Sequence, residues 1–393
     1  MRPAPSCGNP TATPTPAFWW LAPALMMMPQ AWAATAGTAA PATTAATATP
    51  VALPPISPQT RALIDAASKA YAEGDTQGAL QMLRPAGYAL SREAQYTLGL
   101  MLESLPGATT AQYAESANWY YRAALAGHPG AMNNLAALHH DGLGVPVTLS
   151  IARIWYERAA KLGFAPSQYN LALMHGRAVG MPPDDARMLA LLQQAAVTGY
   201  APAEAQLGLI SLQGLAGQRA DAARAADWFG RAARQGHAEA QYRLGLLLMS
   251  GQGLPRDTLA ATTWLRAAAD QDHPLAAWEA ARALEQAQAG DASGVQPGAS
   301  SGPVNQAAQA SQTEAAAELA ASALGYYRAS ATAGHVPAMQ RLLRLYQEGG
   351  LGQPRSPSLA GFWKVRLQMA AKPANRSAAS TSPITTTTQR SAR

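Results

Sequence analysis

Residues 225–245 read AADWFGRAARQGHAEAQYRLG. Alanine and arginine are strong helix formers, and they dominate both halves of this stretch. Gly236 divides the halves, and glycine readily takes the positive φ that ends a helix. The stretch therefore predicts a helix, a tight turn and a second helix. The first helix carries the aromatic pair Trp228 and Phe229, and the second carries the small residue Gly245.

The same pattern recurs along the chain at a nearly fixed period. Counted from the aromatic position of the first helix, the steps are 36, 36, 37, 36, 62 and 37 residues. Neither helix of such a pair can bury its apolar face alone, so neighbouring pairs must stack. The period predicts an all-α solenoid of stacked antiparallel helix pairs. The aromatic position, called the anchor below, is occupied by Trp119, Trp155, Leu191, Trp228, Trp264, Tyr326 and Trp363.

Packing between the pairs explains the recurring residue types. The tryptophan is expected to be the large side chain that fills the gap between units, so that Trp228→Ala should cost about 3–5 kcal/mol. Glycine inside a helix costs on the order of 1 kcal/mol relative to alanine. Gly208 and Gly245 are therefore best explained by close approach of a neighbouring helix.

Residues 152–164, ARIWYERAAKLGF, and the stretch quoted first are similar to the repeat unit of the Sel1-like family, a relative of the tetratricopeptide repeat. The 36-residue step favours this family over the 34-residue tetratricopeptide unit. The chain departs from the family pattern at Leu191, Asp272 and Tyr326. The resemblance implies a right-handed α-solenoid and adaptor roles, including periplasmic regulators and envelope-assembly scaffolds of bacteria.

Composition divides the chain into seven segments. An Ala/Thr/Pro stretch and a Ser/Thr/Ala end bury too little apolar surface to fold. The predicted segments are a signal peptide (1–33), a disordered linker (34–58), N-terminal tetratricopeptide-like helices (59–113), Sel1-like repeats (114–285), a disordered insertion (286–313), a C-terminal repeat with a capping helix (314–370) and a disordered basic tail (371–393).

The N-terminal segment predicts export. An apolar run from Ala17 to Met28 is followed by Ala31-Trp32-Ala33, which fits a small-x-small cleavage site. A periplasmic location is expected, with an uncleaved membrane anchor as the alternative. Cys7 is the sole cysteine, so no disulfide can form within one chain.

Charge is distributed unevenly. After Glu348 there are no acidic residues and seven basic ones, whereas the rest of the chain is near neutral. A neutral array does not predict nucleic-acid binding. The basic end is either a solvated tail or a segment attracted to an anionic envelope surface. The seven bases are Arg355, Lys364, Arg366, Lys372, Arg376, Arg390 and Arg393.

No residue pattern predicts catalysis, a cofactor or a metal. The chain contains no Gly-rich phosphate loop, nucleophile elbow or Cys-x-x-Cys pair. His139-His140-Asp141 resembles a metal cluster, but adjacent residues on a helix diverge by about 100° and zinc needs three or four converging ligands. A structural role is expected for the histidines that follow the turns, which are His128, His237, His273 and His335.

The concave face of the solenoid, lined by polar positions of the first helices, is the expected binding surface for a protein or peptide. Its recurring arginines suit a carboxylate-bearing segment, although they could instead only solvate the surface or pair with acids between units. The candidate residues are Tyr121, Arg122, Glu157, Arg158, Gln194, Arg231 and Arg266. The predicted function is a non-enzymatic scaffold or adaptor. The alternative is an envelope structural protein that binds peptidoglycan or anionic lipid through its basic C-terminal end.

Overall fold

The protein is described by a computed structural model over residues 56–293 and 303–371. These residues form sixteen α-helices and one isolated bridge between Gly350 and Gln353. The helices are α1 (Pro58–Ala72), α2 (Thr76–Tyr88), α3 (Arg92–Glu103), α4 (Thr110–Leu125), α5 (Pro129–Asp141), α6 (Leu149–Lys161), α7 (Ala165–Gly176), α8 (Asp185–Val197), α9 (Ala201–Gln213), α10 (Ala222–Arg234), α11 (Ala238–Ser250), α12 (Thr258–Ala269), α13 (Pro274–Ser293), α14 (Pro303–Thr332), α15 (Val336–Glu348) and α16 (Pro357–Ala371).

Consecutive helices pack against each other throughout the array. From α4 onward the even-numbered helices are the first helices of the pairs, and the odd-numbered ones are the second helices. The contact between a second helix and the next first helix is at least as extensive as the contact within a pair. The right-handed α-solenoid of stacked helix pairs expected from the sequence is therefore confirmed.

Short polar and glycine signals set the helix ends. The carboxylates of Asp184, Asp221 and Asp257 each accept a hydrogen bond from the backbone N–H three residues later, at 2.8–2.9 Å. These bonds satisfy N–H groups that the first turn leaves unpaired. At the opposite end of α12, Asp272 takes a positive φ of +60°, and Gly236 takes a positive φ of +85° at the equivalent turn. The aspartate therefore preserves the turn despite departing from the repeat pattern.

In the first helices from α4 to α14, the residue after the anchor is buried, whereas in α16 this position is the exposed Lys364. Tyr120, Leu192, Phe229, Leu265 and Tyr327 have no exposed surface. This corrects the expected role of Trp228, which is only partly buried, whereas Phe229 fills the space between the helices. Adjacent helical residues point about 100° apart, so only one of them can face the neighbouring second helix directly.

Small residues of the second helices receive these side chains. A Cβ atom on Gly99 would lie 2.4 Å from a ring carbon of Tyr120, and one on Gly245 would lie 2.7 Å from Cγ of Leu265. Both distances are below any ordinary carbon contact. The close approach inferred for Gly245 is confirmed.

Two predicted boundaries need correction. Much of the segment predicted as a disordered insertion, residues 286–313, is helical, because α13 extends to Ser293 and α14 begins at Pro303. Its alanines and glutamines favour helix strongly enough to extend the flanking helices. The boundary predicted between residues 113 and 114 falls inside α4, whose packing against α3 continues the array.

The predicted signal peptide, most of the predicted linker and all but the first residue of the predicted basic tail lie outside the described residues. So does the middle of the predicted insertion, residues 294–302. Among the helices of the described ranges, none is long and apolar enough to cross a membrane.

Candidate protein-binding surface

Three of the predicted arginines lie beside the anchor tryptophan of their own helix. The guanidinium carbons of Arg122, Arg158 and Arg231 are 5.1, 4.7 and 4.8 Å from the ring centroids of Trp119, Trp155 and Trp228. Each pair is three residues apart, which places both side chains on one helix face. A cation over an aromatic face is stabilised by the ring quadrupole.

The sequence did not predict this contact between each arginine and the tryptophan of its own helix. Stacking on the indole orients each guanidinium while its solvent side stays open, because all three arginines are exposed. An oriented guanidinium loses less side-chain freedom when it binds a carboxylate. The arrangement therefore provides three repeated, pre-positioned cationic groups.

Aromatic side chains of the preceding unit cover two of the indoles. Tyr121 packs edge-on against Trp155 with ring centroids 6.1 Å apart, and Tyr88 packs against Trp119 at 5.2 Å. Tyr121 is itself 48% exposed. In the unit that precedes Trp264, the position equivalent to Tyr121 is Gly230. Glycine has no side chain that could cover the indole of Trp264.

The remaining predicted site residues are spread along the first helices. Glu157 pairs with Arg153 of its own helix, with 2.7 Å between Oε1 and Nη1, so its carboxylate is already engaged. Gln194 on α8 and Arg266 on α12 are exposed. The described contacts bring Tyr121 together with the Trp155 and Arg158 pair, but they do not join Gln194 or Arg266 to it.

Three of the four histidines after the turns have the predicted structural role as helix caps, whereas His335 makes no such cap bond. Nδ1 of His128, His237 and His273 accepts the backbone N–H three residues later, at 3.1–3.2 Å, and caps the second helix. A ring that accepts this bond must be unprotonated at Nδ1. Burial lowers the pKa of His128 to about 4 and also lowers the pKa of His237.

An aromatic contact between units was missed in the sequence. Ring stacking joins Tyr96 to His128 at 4.2 Å and Tyr242 to His273 at 4.8 Å. The first ring of each pair lies on a second helix, and the histidine follows the turn of the next unit. The spacing of Tyr96, Tyr169, Tyr242 and Trp278 by multiples of roughly one repeat was the available signal.

A network of polar side chains links three second helices, α3, α5 and α7. The hydroxyl of Tyr120 donates to Oε2 of Glu103 at 2.7 Å and accepts from Asn134 at 3.1 Å. Asn134 is joined through Asn133 to Ser167. Burial raises the pKa of both Glu103 and Tyr120. The partners are mutually satisfied, so the network fixes the relative positions of the units.

Within residues 56–293 and 303–371, no group of three or more histidine, cysteine, aspartate or glutamate side chains could hold a metal ion. In the cluster considered from the sequence, Nδ1 of His140 lies 2.6 Å from Oδ1 of Asp141, which raises the pKa of the imidazole. These neighbours satisfy each other on the helix surface.

Comparison with protein families gives the array its classification. The family model for the Sel1 repeat matches residues 92–128, 129–164, 165–196, 201–237 and 238–273. These matches follow one another along α3 to α12. The chain contains five Sel1 repeats. Each repeat begins with a second helix of the array and ends at the first helix of the next pair, so the Arg–Trp pairs lie near the ends of the first, second and fourth Sel1 repeats.

Solved structures of Sel1 repeat proteins share the fold. One is a protective antigen of uropathogenic Escherichia coli with an SLR fold, at 24% identity and a TM-score of 0.56 over 79% of this chain. The present chain spans 62% of the length of that protein. Another is a Sel1 repeat protein from Oxalobacter formigenes, at 24% identity and a TM-score of 0.55 over 69% of this chain and 98% of the other. No curated protein sequence matches this chain.

Proposed function

We propose that this protein is a non-enzymatic scaffold that binds a carboxylate-bearing segment of another protein on the concave face of its Sel1 repeats. The observation that carries the proposal is the stacking of Arg122, Arg158 and Arg231 over tryptophans of their own helices. The repeats separate these cations along the array. An extended segment with several acidic residues would reach the three guanidinium groups one after another. Each carboxylate would then accept charge-assisted hydrogen bonds from one arginine.

Tyr121 supplies the apolar part of the same site. Its partly exposed ring packs against Trp155, beside the guanidinium of Arg158. Aromatic and arginine side chains are the residue types that most often dominate binding energy at protein interfaces. The expected partner therefore combines an apolar side chain with neighbouring carboxylates.

A photo-crosslinking side chain at position 121 tests this proposal in cells that produce the protein. We expect it to capture a defined protein whose crosslinked peptide is rich in aspartate and glutamate. A matched crosslinker at Lys69, which is 77% exposed on α1 outside the repeats, is the control. The same captured proteins at both positions would contradict the proposed face.

Binding of the identified segment then tests the arginines. Replacing Arg122, Arg158 and Arg231 together with glutamine should weaken binding by about tenfold or more, and added salt should weaken wild-type binding. The variant Lys69→Gln should bind like wild type. Unchanged affinity in the triple variant would exclude the arginines as the contact surface.

We also propose that the protein is exported and works in the cell envelope. The supporting observation is the apolar run from Ala17 to Met28 followed by a small-x-small site. Cell fractionation and N-terminal sequencing of the mature protein test this proposal. A periplasmic protein that begins at Ala34 is expected, whereas a cytosolic protein that retains its first residues would contradict it.

A further inference from the structure

The last helix, α16 (Pro357–Ala371), has two apolar faces. One face packs on the array, where Ala360 and Trp363 are buried and Leu367 is partly buried against the same cluster. In the rest of the array a second helix follows each first helix. Within the described residues no such helix follows α16, so its other face has no neighbouring helix among them.

The outward face is formed by large apolar side chains. Phe362, Val365 and Met369 are three and four residues apart and therefore share one side of the helix. They are 50%, 48% and 67% exposed, and Leu359 at the edge is 41% exposed. An exposed apolar row on one helix, bordered by polar residues, marks an interaction surface.

The charges of this helix are all positive. Lys364 and Arg366 are exposed, and the guanidinium carbon of Arg366 lies 5.6 Å from the ring centroid of Phe362. The chain has no acidic residue after Glu348. Two copies of α16 packed face to face would bring like charges together, so the charge disfavours self-association and favours an anionic surface.

We propose that α16 binds the interface of a lipid bilayer that contains anionic lipids. Phe362, Val365 and Met369 would enter the boundary between headgroups and acyl chains, while Lys364 and Arg366 would contact lipid phosphates. A helix with an apolar face and flanking cations lies in the plane of the interface rather than across it. This mode goes beyond the proposed scaffold function, because it uses the end of the array and leaves the arginine–tryptophan face free.

Co-sedimentation of the full chain with lipid vesicles tests the proposal. Vesicles that mix phosphatidylglycerol with phosphatidylcholine should bind the protein more tightly than phosphatidylcholine alone. The double variant Phe362→Ser with Met369→Ser should bind about tenfold more weakly. Lys364→Gln with Arg366→Gln should lose about fivefold per charge at low salt. Leu259→Ser, which changes a residue 80% exposed on α12, should have no effect.

Three outcomes would overturn the proposal. They are equal binding to neutral and anionic vesicles, unchanged binding by the Phe362 and Met369 double variant, and a wild-type dimer in sedimentation velocity that this variant loses. The last outcome would assign the face to a second copy of the chain. Circular dichroism establishes whether the variants fold. If the Phe362 and Met369 variant does not fold, the Lys364 and Arg366 variant still tests lipid binding, because neither of its side chains is buried.

Discussion

Gly208 of α9 lies directly against the ring of Phe229 in α10, so that a Cβ atom on Gly208 would be 2.7 Å from Cε1 of Phe229. The same relationship joins Gly99 to Tyr120 and Gly245 to Leu265. The missing side chain of one helix therefore creates the space for the buried side chain of the next. This contact lies within a Sel1 repeat, between a second helix and the first helix of the next pair, and it sets how closely the helix pairs stack.

Replacing Gly208 with alanine should destabilise the protein by about 1–3 kcal/mol, because the added methyl group must displace a fully buried ring. Urea denaturation followed by circular dichroism measures the change. Gly230→Ala is the matched control, since its Cβ atom would meet only the end of Arg234 at 3.6 Å. That control should stabilise the helix by up to about 1 kcal/mol. Equal effects at both positions would contradict the packing role of Gly208.

Truncation should distinguish the two adjacent aromatic residues of α10. Phe229→Ala removes a side chain with no exposed surface and should cost about 3–5 kcal/mol. Trp228→Ala removes a partly exposed ring and should cost about 1–2 kcal/mol. Urea denaturation of the two variants compares them directly. A larger loss of unfolding free energy for Trp228→Ala than for Phe229→Ala would show that the tryptophan is the main packing side chain between the units.

Stability should fall as the pH is lowered from 6.5 towards 4. Burial holds the pKa of His128 at about 4, whereas an unfolded histidine titrates near 6.5. The unfolded chain therefore binds more protons in this window, so the stabilisation is complete above pH 6.5 and is lost progressively as the pH falls to about 4. The contribution of His128 is at most about 3 kcal/mol. Denaturation midpoints at several pH values measure it.

The variant His128→Asn provides the control for this pH dependence. Asparagine also caps helices well, so the variant should stay folded at neutral pH. It does not titrate, and the slope of stability against pH between 6.5 and 4 should decrease. His237, whose pKa is also lowered, should retain part of the slope. A slope identical to wild type would show that His128 does not titrate on unfolding.

Glu285 of α13 should be energetically coupled to Arg341 of α15. The arginine donates two hydrogen bonds to the carboxylate, which also accepts one from Tyr327 at 2.6 Å. A double-mutant cycle with alanine should give a coupling free energy of about 1–2 kcal/mol. The exposed pair Lys69 and Glu73, 3.9 Å apart, should give below about 0.5 kcal/mol. Equal coupling in the two cycles would contradict this assignment.

The sequence alone determined the repeating architecture. The period near 36 residues placed the helix pairs, the turns at Gly127 and Gly236, and the small residues of the second helices. These features are local or strictly periodic, since they depend on helix propensity, on positive φ at the turn and on a volume limit that recurs in each unit. It also identified Arg122, Arg158 and Arg231 as recurring exposed positions.

Only the tertiary structure decided how adjacent residues divide their roles. Trp228 and Phe229 are equivalent in a sequence pattern, but the direction of α9 relative to α10 makes Phe229 the buried one. The stacking of His128 on Tyr96 likewise depends on the geometry between units. The exposed row of Phe362, Val365 and Met369 has an apolar pattern like that of a core face. Its exposure is set by the absence of a neighbouring helix among the described residues, because burial is a property of what packs against a side chain.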